Sequence, residues 1–259
     1  MAKTPDVDFG LTADDYSTHR AGFPDSFFDR IRDFGVGVPG QRIADLGTGT
    51  GTLARGFAAR GCQCTGIDPS SAMLSGARRL AEAEGLDLAF REANAEDTGL
   101  ETSSFEVVTA GQCWHWFDRP RAIHEVRRIL VPSGQLVIAH FDWLPLAGNI
   151  VAATEALIDK HNPNWNMGGG IGVHPWWLPD LGEHGMEDIE TFSYDCDARY
   201  TPESWRGRIR ASAGVGVALD DAAVAAFDAE HAALLAERFP GEELAVPHRV
   251  YAIVCRSPG

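Results

Sequence analysis

The chain has no apolar run approaching the ~18 residues that a membrane-spanning helix needs, which excludes a helical membrane protein. Its first residues, Met1-Ala2-Lys3-Thr4-Pro5-Asp6, lack the apolar core of a secretory leader, so a cytoplasmic location is expected. Basic residues are scarce: 22 Lys and Arg stand against 37 Asp and Glu, a formal charge of −15. A field of that sign repels phosphate backbones and anionic lipid, so neither nucleic acid nor a membrane is an expected partner; solubility is the plainer reading of the same charge. Cysteine is sparse as well. Cys62, Cys64, Cys113, Cys196 and Cys255 are odd in number and show no metal-ligand spacing, so no metal is expected. Cys62 and Cys64, two apart in a predicted strand, share a face and read as core, since a buried thiol behaves as a small hydrophobe. No internal repeat or low-complexity tract is present.

What remains is ordinary globular material: 259 residues, 44% hydrophobic and 23% charged, enough for one large α/β domain or two small ones. The oligomeric state is not readable. Between residues 41 and 140 short apolar strands alternate with helical stretches. Strands are predicted at 42–46, 62–67, 86–90, 105–110 and 135–140. Helices are predicted at 52–60, 70–83 and 120–130, with Pro120 in a first turn and Pro132-Ser133-Gly134 as a turn re-entering the sheet. Such alternation predicts a doubly wound, Rossmann-like α/β fold with a mostly parallel sheet and right-handed crossovers. Residues 9–34 look helical. Residues 143–188, with Gly168-Gly169-Gly170, several prolines and Trp143, Trp165, Trp176 and Trp177, look irregular and suited to a lid or pocket wall. A strand at 189–195, helices at 202–211 and 222–238 and a strand at 249–255 close the chain. The expected organisation is a single domain over 1–259: an N-terminal helical cap (1–40), a ligand-binding core (41–140), a substrate-side insertion (141–188) and C-terminal strands and helices (189–259).

The strongest motif is Ala44-Asp45-Leu46-Gly47-Thr48-Gly49-Thr50-Gly51, which leaves a strand and opens a helix. Its glycines let the backbone turn sharply and approach a ligand closely. A dinucleotide fingerprint wants G-x-G-x-x-G, but Thr52 stands where the third glycine would fall. Asp45 adds an anion at the strand end, which disfavours a pyrophosphate and suits a ligand carrying an ammonium and a sulfonium. S-adenosylmethionine (SAM) has both and no phosphate.

Gly66-Ile67-Asp68-Pro69-Ser70 follows the second strand. Asp68 is placed to accept ribose hydroxyls, or to serve with Ser70 only as a helix-start device. Ala93-Asn94-Ala95-Glu96-Asp97 follows the third. A backbone N–H of Ala95 or Glu96 and the Asn94 carbonyl suit an adenine edge, although Asn/Asp-rich turns are common without a ligand.

Together these residues resemble the class I SAM-dependent methyltransferases over about residues 10–140, and among them the small-molecule group of the menaquinone/ubiquinone biosynthesis and trans-aconitate methyltransferases. Asp45-Leu46-Gly47-Thr48-Gly49-Thr50-Gly51 resembles the family's first motif, Gly66-Ile67-Asp68 its ribose motif, and Asn94-Ala95-Glu96-Asp97 its adenine turn with Asn94 in place of an acid. Gly111-Gln112-Cys113-Trp114-His115-Trp116-Phe117-Asp118 resembles the Gln-x-x-His-Trp-Phe stretch of one branch. The segment from Tyr16 through Arg20 to Pro24 resembles an N-terminal element that closes over the cofactor's methionine end, with Ala21 and Phe23 replacing Pro and Tyr. The resemblance implies a seven-stranded sheet with an antiparallel last strand. It implies SAM as cofactor and methyl transfer to a small-molecule acceptor. It implies a cofactor site drawn from Tyr16, Arg20, Asp45, Gly47, Thr48, Gly49, Gly51, Asp68, Pro69, Asn94, Ala95, Glu96, Gly111 and Gln112.

Methyl transfer from a sulfonium is an in-line displacement whose barrier falls mainly through alignment, worth ~7–11 kcal/mol for well-oriented reactants. A base adds typically ~10²–10⁴-fold. His115 and His140, each at the carboxyl end of a strand, are the catalytic candidates, with packing or loop anchoring as the alternative for each. Trp114, Trp116, Trp143, His174, Trp176 and Trp177 either wall the acceptor pocket or pack as core. Tyr16 and Arg20, four apart, share a helical face and either meet the methionine carboxylate or form a surface pair. Arg206, Arg208 and Arg210 fan round a helix; one meets an acceptor carboxylate or all are solvated. The competing readings are an NAD-type oxidoreductase, opposed by Thr52 and Asp45, and a SAM-binding protein without catalysis.

Overall fold

The structure, a computed structural model, describes residues 22–259. Its strands are β1 (Arg42–Leu46), β2 (Gln63–Asp68), β3 (Ala89–Glu92), β4 (Phe105–Gly111), β5 (Leu130–Trp143), β6 (Glu187–Tyr200) and β7 (Leu244–Arg256). Its helices are α1 (Asp25–Arg32), α2 (Thr52–Ala58), α3 (Ser71–Ala83), α4 (Arg119–Ile129), α5 (Ile150–His161), α6 (Leu178–Glu183), α7 (Pro202–Arg210) and α8 (Asp221–Arg238). The strands form one sheet in the order β3-β2-β1-β4-β5-β7-β6; its seven strands, mostly parallel with antiparallel last strands, are those that the resemblance implies.

The chain divides into two compact units. The first comprises Gly22–Phe141, Val173–Tyr194 and Val250–Gly259. Here β1 pairs in parallel with β2 on one side and β4 on the other, so that Ala44 faces both Thr65 and Val108. The strand order reverses at β1, the place where open α/β sheets leave a crevice outside their carboxyl ends. β1 is buried from Ile43 to Leu46 without alternation, as a parallel strand covered on both faces must be. Leu46, Ile67, Val108, Ala110, Ile123, Val126 and Ile138 belong to one buried cluster, each full burial of a Leu, Ile or Val side chain contributing about 1.5–3 kcal/mol. On α1, Phe27, Phe28 and Ile31 point inward. The Phe28 ring meets Phe57 edge-on at 5.1 Å and lies where a Cβ on Gly56 would stand 2.1 Å away, so α2 needs glycine there.

Several elements differ from expectation, and β6 and β7 run beyond the predicted 189–195 and 249–255 at both ends. β3 begins at Ala89 rather than Leu86, because Gly85 turns the chain with φ 66° and the Leu86 N–H still closes α3 onto the Ala81 carbonyl. β5 starts at Leu130 and contains the Pro132-Ser133-Gly134 turn as a bulge: Phe105 faces Leu130, Val107 already faces Gln135, and Ser133 adopts φ 60°. Residues 143–188 are not irregular throughout. Ile150–His161 is a three-turn helix capped by the Asn149 side chain on the Ala152 N–H; the helix itself has no glycine or proline, which stand on either side of it.

The second unit comprises Asp142–Gly172 and Asp195–Arg249 among the described residues. The Thr154 hydroxyl donates to the Ile150 carbonyl at 2.8 Å and accepts the Trp205 indole N–H at 3.2 Å, joining α5 to α7. His231 of α8 reaches the same oxygen at 3.1 Å through Nε2. Since the hydroxyl proton is already given to Ile150, Nε2 carries the imidazole proton. Burial pushes the His231 pKa down to about 4, which keeps the ring neutral.

Candidate functional site

The glycine turn runs from β1 into α2. Gly47, Gly49 and Gly51 have φ of 60°, 56° and 81°, and Gly51 is the N-cap of α2 in the left-handed region. At Gly47 the lack of a side chain also decides packing: a Cβ there would lie 2.8 Å from the Cys113 sulfur. The Cys113 thiol itself donates to the Leu46 carbonyl at 3.1 Å. Behind the turn Asp45 is 2% exposed. One carboxylate oxygen accepts the Thr109 hydroxyl at 2.6 Å and the other the Thr48 hydroxyl at 2.6 Å. Burial raises its pKa to about 6 against those two hydrogen bonds.

Asp68, at the end of β2, accepts the Gly49 N–H at 2.8 Å and the Ser70 N–H at 2.9 Å, one on each oxygen. Burial lifts its pKa while the two backbone donors oppose the rise. Ser70 in turn caps α3 by accepting the Met73 N–H. The Asp68 carboxylate thus helps start α3, the second of its two sequence readings, and also stands against the glycine turn. Pro69 is exposed beside it.

Past β3, Asn94 to Asp97 form a tight turn in which the Asp97 N–H donates to the Asn94 carbonyl at 3.3 Å. Ala95 is buried, and the Glu96 carboxylate accepts the Asp118 N–H at 2.8 Å. The turn is anchored from below by Glu125 of α4, which takes both the N–H and the hydroxyl of Thr98 at 2.9 and 2.5 Å and a two-pronged contact from Arg128 at 2.7 Å. Burial works to raise the Glu125 pKa, but these bonds win and hold it down to about 2. Sequence reasoning did not single out Glu125 or Thr98; an acidic residue inside an amphipathic helix was the only available signal.

β4 ends at Gly111, and Gln112 takes φ 59°, a left-handed conformation rare for a residue with a side chain. Its backbone N–H donates to the Ala139 carbonyl at 2.8 Å and its amide to the Phe141 carbonyl at 2.7 Å, fixing it to β5. A short 3₁₀ turn, Trp114–Trp116, follows. Trp114 is fully buried in the core cluster, the packing alternative for that residue, whereas His115 and Trp116 are half-buried with rings 4.5 Å apart. His140 lies 5.7 Å from His115 and 4.3 Å from His174, ring to ring. His174 stacks on Trp177 at 4.4 Å and 10°, and Tyr251 stands 5.8 Å from it. Trp176 is 58% exposed.

The first unit therefore brings together Asp45, the glycine turn and Asp68, and gathers His115, His140, His174, Trp116 and Trp177. Trp143 belongs to the second unit, where its indole donates to Glu155 at 2.8 Å, meets Trp205 edge-on and lies under the Arg208 guanidinium at 4.9 Å. The arginine trio divides: Arg206 and Arg210 are held by Asp228 and Glu203, and Arg208 alone turns to an indole. Tyr16 and Arg20 lie outside the described residues. No helix among the described residues is long and apolar enough to cross a membrane.

Residues 44–138, from β1 into β5, match the family described as "Methyltransferase domain". An uncharacterised methyltransferase of Mycobacterium tuberculosis is 33% identical over 151 residues, 56% of this chain and 59% of that protein. The demethylmenaquinone methyltransferase of Thermus thermophilus is 38% identical over 115 residues, 43% of this chain and 52% of that protein. The chain spans between about half and three fifths of the length of these curated relatives. Among solved structures, a phosphoethanolamine N-methyltransferase of Haemonchus contortus, in complex with its phosphobase and S-adenosylhomocysteine, superposes with a TM-score of 0.57 at 18% identity, covering 97% of this chain and 57% of that one. The resemblance read from the motifs thus holds over the core of the sheet.

Proposed function

With a methyltransferase-domain match from β1 into β5 as premise, we propose that the chain transfers the methyl group of SAM to a small-molecule acceptor by in-line displacement. The observation that carries the reading is the Asp68 carboxylate seated on the Gly49 N–H at 2.8 Å, at the crevice where the strand order reverses.

The residues present suit this cofactor. Asp68 uses one lone pair of each oxygen on the backbone and keeps others for two ribose hydroxyls. Asp45 places a carboxylate behind the turn where an ammonium gains and a pyrophosphate loses. The backbone of Ala95 and Glu96 offers N–H donors to an adenine edge, with the Glu96 side chain already committed to Asp118. Gly111 and Gln112, fixed to β5, form the floor beside β1.

The bound sulfonium supplies an electrophilic methyl group, so the protein's task is alignment. His115, half-buried on its 3₁₀ turn, is the residue we assign to orient the acceptor or take its proton, with His140 beside it. Trp116, half-buried, and Trp176, exposed, supply aromatic surface for a planar acceptor, while Trp177 packs in the core behind His174. The demethylmenaquinone methyltransferase relative supports a quinol or phenol as that acceptor. Incubation of the full chain with methyl-labelled SAM and a panel of quinols, phenols, amines and carboxylic acids tests the reading. Label is expected in an aromatic hydroxyl or ring-carbon product. Label transfer to no member, with SAM bound, contradicts catalysis.

A further inference from the structure

At the carboxyl end of β5 stands a pair of side chains that cofactor binding does not use. His140 is buried at 3% exposure near the end of β5, and His174 is half-buried just ahead of the 3₁₀ turn Pro175–Trp177. Their rings are 4.3 Å apart and tilted by 50°, and they offer ring nitrogens within 4.8 Å of each other. The tilt matters, since it lets nitrogens of both rings converge on one point. Trp177 restrains both partners, stacking flat on His174 and tilted at 4.9 Å from His140. Restraint of this kind is what a ligand set needs in order not to lose affinity to side-chain freedom.

We propose that His140 and His174 form a binding site for a divalent transition-metal ion of the zinc, cobalt or nickel class, with open coordination positions on the His115 side. Imidazole is a donor for such borderline ions and a poor one for magnesium or calcium. Metal–nitrogen bonds of about 2.0–2.1 Å set two ligands about 3.3 Å apart round a tetrahedral ion, so nitrogens within 4.8 Å of each other close on an ion by ring rotations that bring them up to about 1.5 Å nearer. The formal charge of −15 also favours a cation over an anion at a cleft of this kind. An ion bound there would act as a Lewis acid on an acceptor oxygen; that consequence rests on the methyl-transfer reading, whereas metal binding itself does not.

The test needs neither cofactor nor acceptor, so it succeeds or fails apart from the proposed function. The full chain, stripped with a chelator and dialysed, is titrated with cobalt(II) chloride while the visible d–d absorption is read, and with zinc chloride by calorimetry. Saturation at one equivalent is expected. His174→Gln and His140→Gln should each weaken cobalt binding by at least about tenfold, and His124→Gln, exposed on α4, should leave it unchanged. His140 is in the core and its variant can fail to fold, so His174→Gln, checked by its circular dichroism melt, decides. No cobalt spectrum at millimolar metal, or cobalt binding as tight in His174→Gln as in the unaltered chain, overturns the site.

Discussion

The Asp68 carboxylate and the Gly49 N–H are joined by a 2.8 Å hydrogen bond between the end of β2 and the turn after β1. One group therefore sets the shape of the glycine turn and presents lone pairs to whatever lies in the crevice. Asp68→Ala removes both effects. A hydrogen bond to a charged group contributes about 1.5–3 kcal/mol, so the variant should bind SAM roughly ten- to a hundredfold more weakly by isothermal titration. Asp68→Asn keeps an acceptor for Gly49 and should lose less.

Asp45 gives the binding reaction a pH dependence. Its pKa in the free chain is raised to about 6 from an ordinary value near 3.8 by burial. The folded free chain thus prefers the neutral acid, and this contribution to stability is complete below about 3.8 and lost as pH rises through about 6. A cofactor ammonium favours the carboxylate, so binding must expel the proton below pH 6. SAM affinity should fall about fivefold between pH 6 and pH 5, and Asp45→Asn should abolish that step in calorimetry.

Gly47 carries two constraints at once, a φ of 60° and a Cβ position 2.8 Å from the Cys113 sulfur. Gly47→Ala should lower stability by about 1–3 kcal/mol, visible as a drop in Tm. Cys113→Gly in the same chain removes the clash but not the backbone strain, so it should restore only part of the loss.

Glu125 holds the Asn94–Asp97 turn from α4 through Thr98. Glu125→Gln breaks its pairing with Arg128 and should cost about 2–3 kcal/mol at pH 7. The folded pKa of Glu125 is lowered to about 2, so its contribution is present above the unfolded carboxylate value and fades as pH falls toward 2. Urea denaturation of both proteins at pH 7 and pH 3 should show the difference between them narrowing in acid.

The alternation of strands and helices from residue 41 to 140 was legible because each element is decided locally, by an apolar run, a cap or a glycine. Asp45, Gly47 and Asp68 were legible for the same reason, since each sits at the end of a strand that the sequence marks. The helix at Ile150–His161 was hidden by the glycines and prolines that flank it. The meeting of His140 with His174 could not be read at all. It depends on the order in which distant strands enter the sheet, and on the stacking of His174 against Trp177. The same holds for Glu125, whose partner Thr98 lies across a loop. An absence of cysteine spacing spoke against metal in the sequence, yet a histidine pair assembled by tertiary structure leaves no spacing to find.

The most direct measurement of the central claim is calorimetric titration of the full chain with S-adenosylhomocysteine, repeated in the presence of NADH. A single site of micromolar affinity, near −8 kcal/mol, unaffected by NADH, is the predicted result. Absence of heat at millimolar ligand, or displacement of the ligand by NADH, would contradict a SAM crevice at Gly47–Gly51.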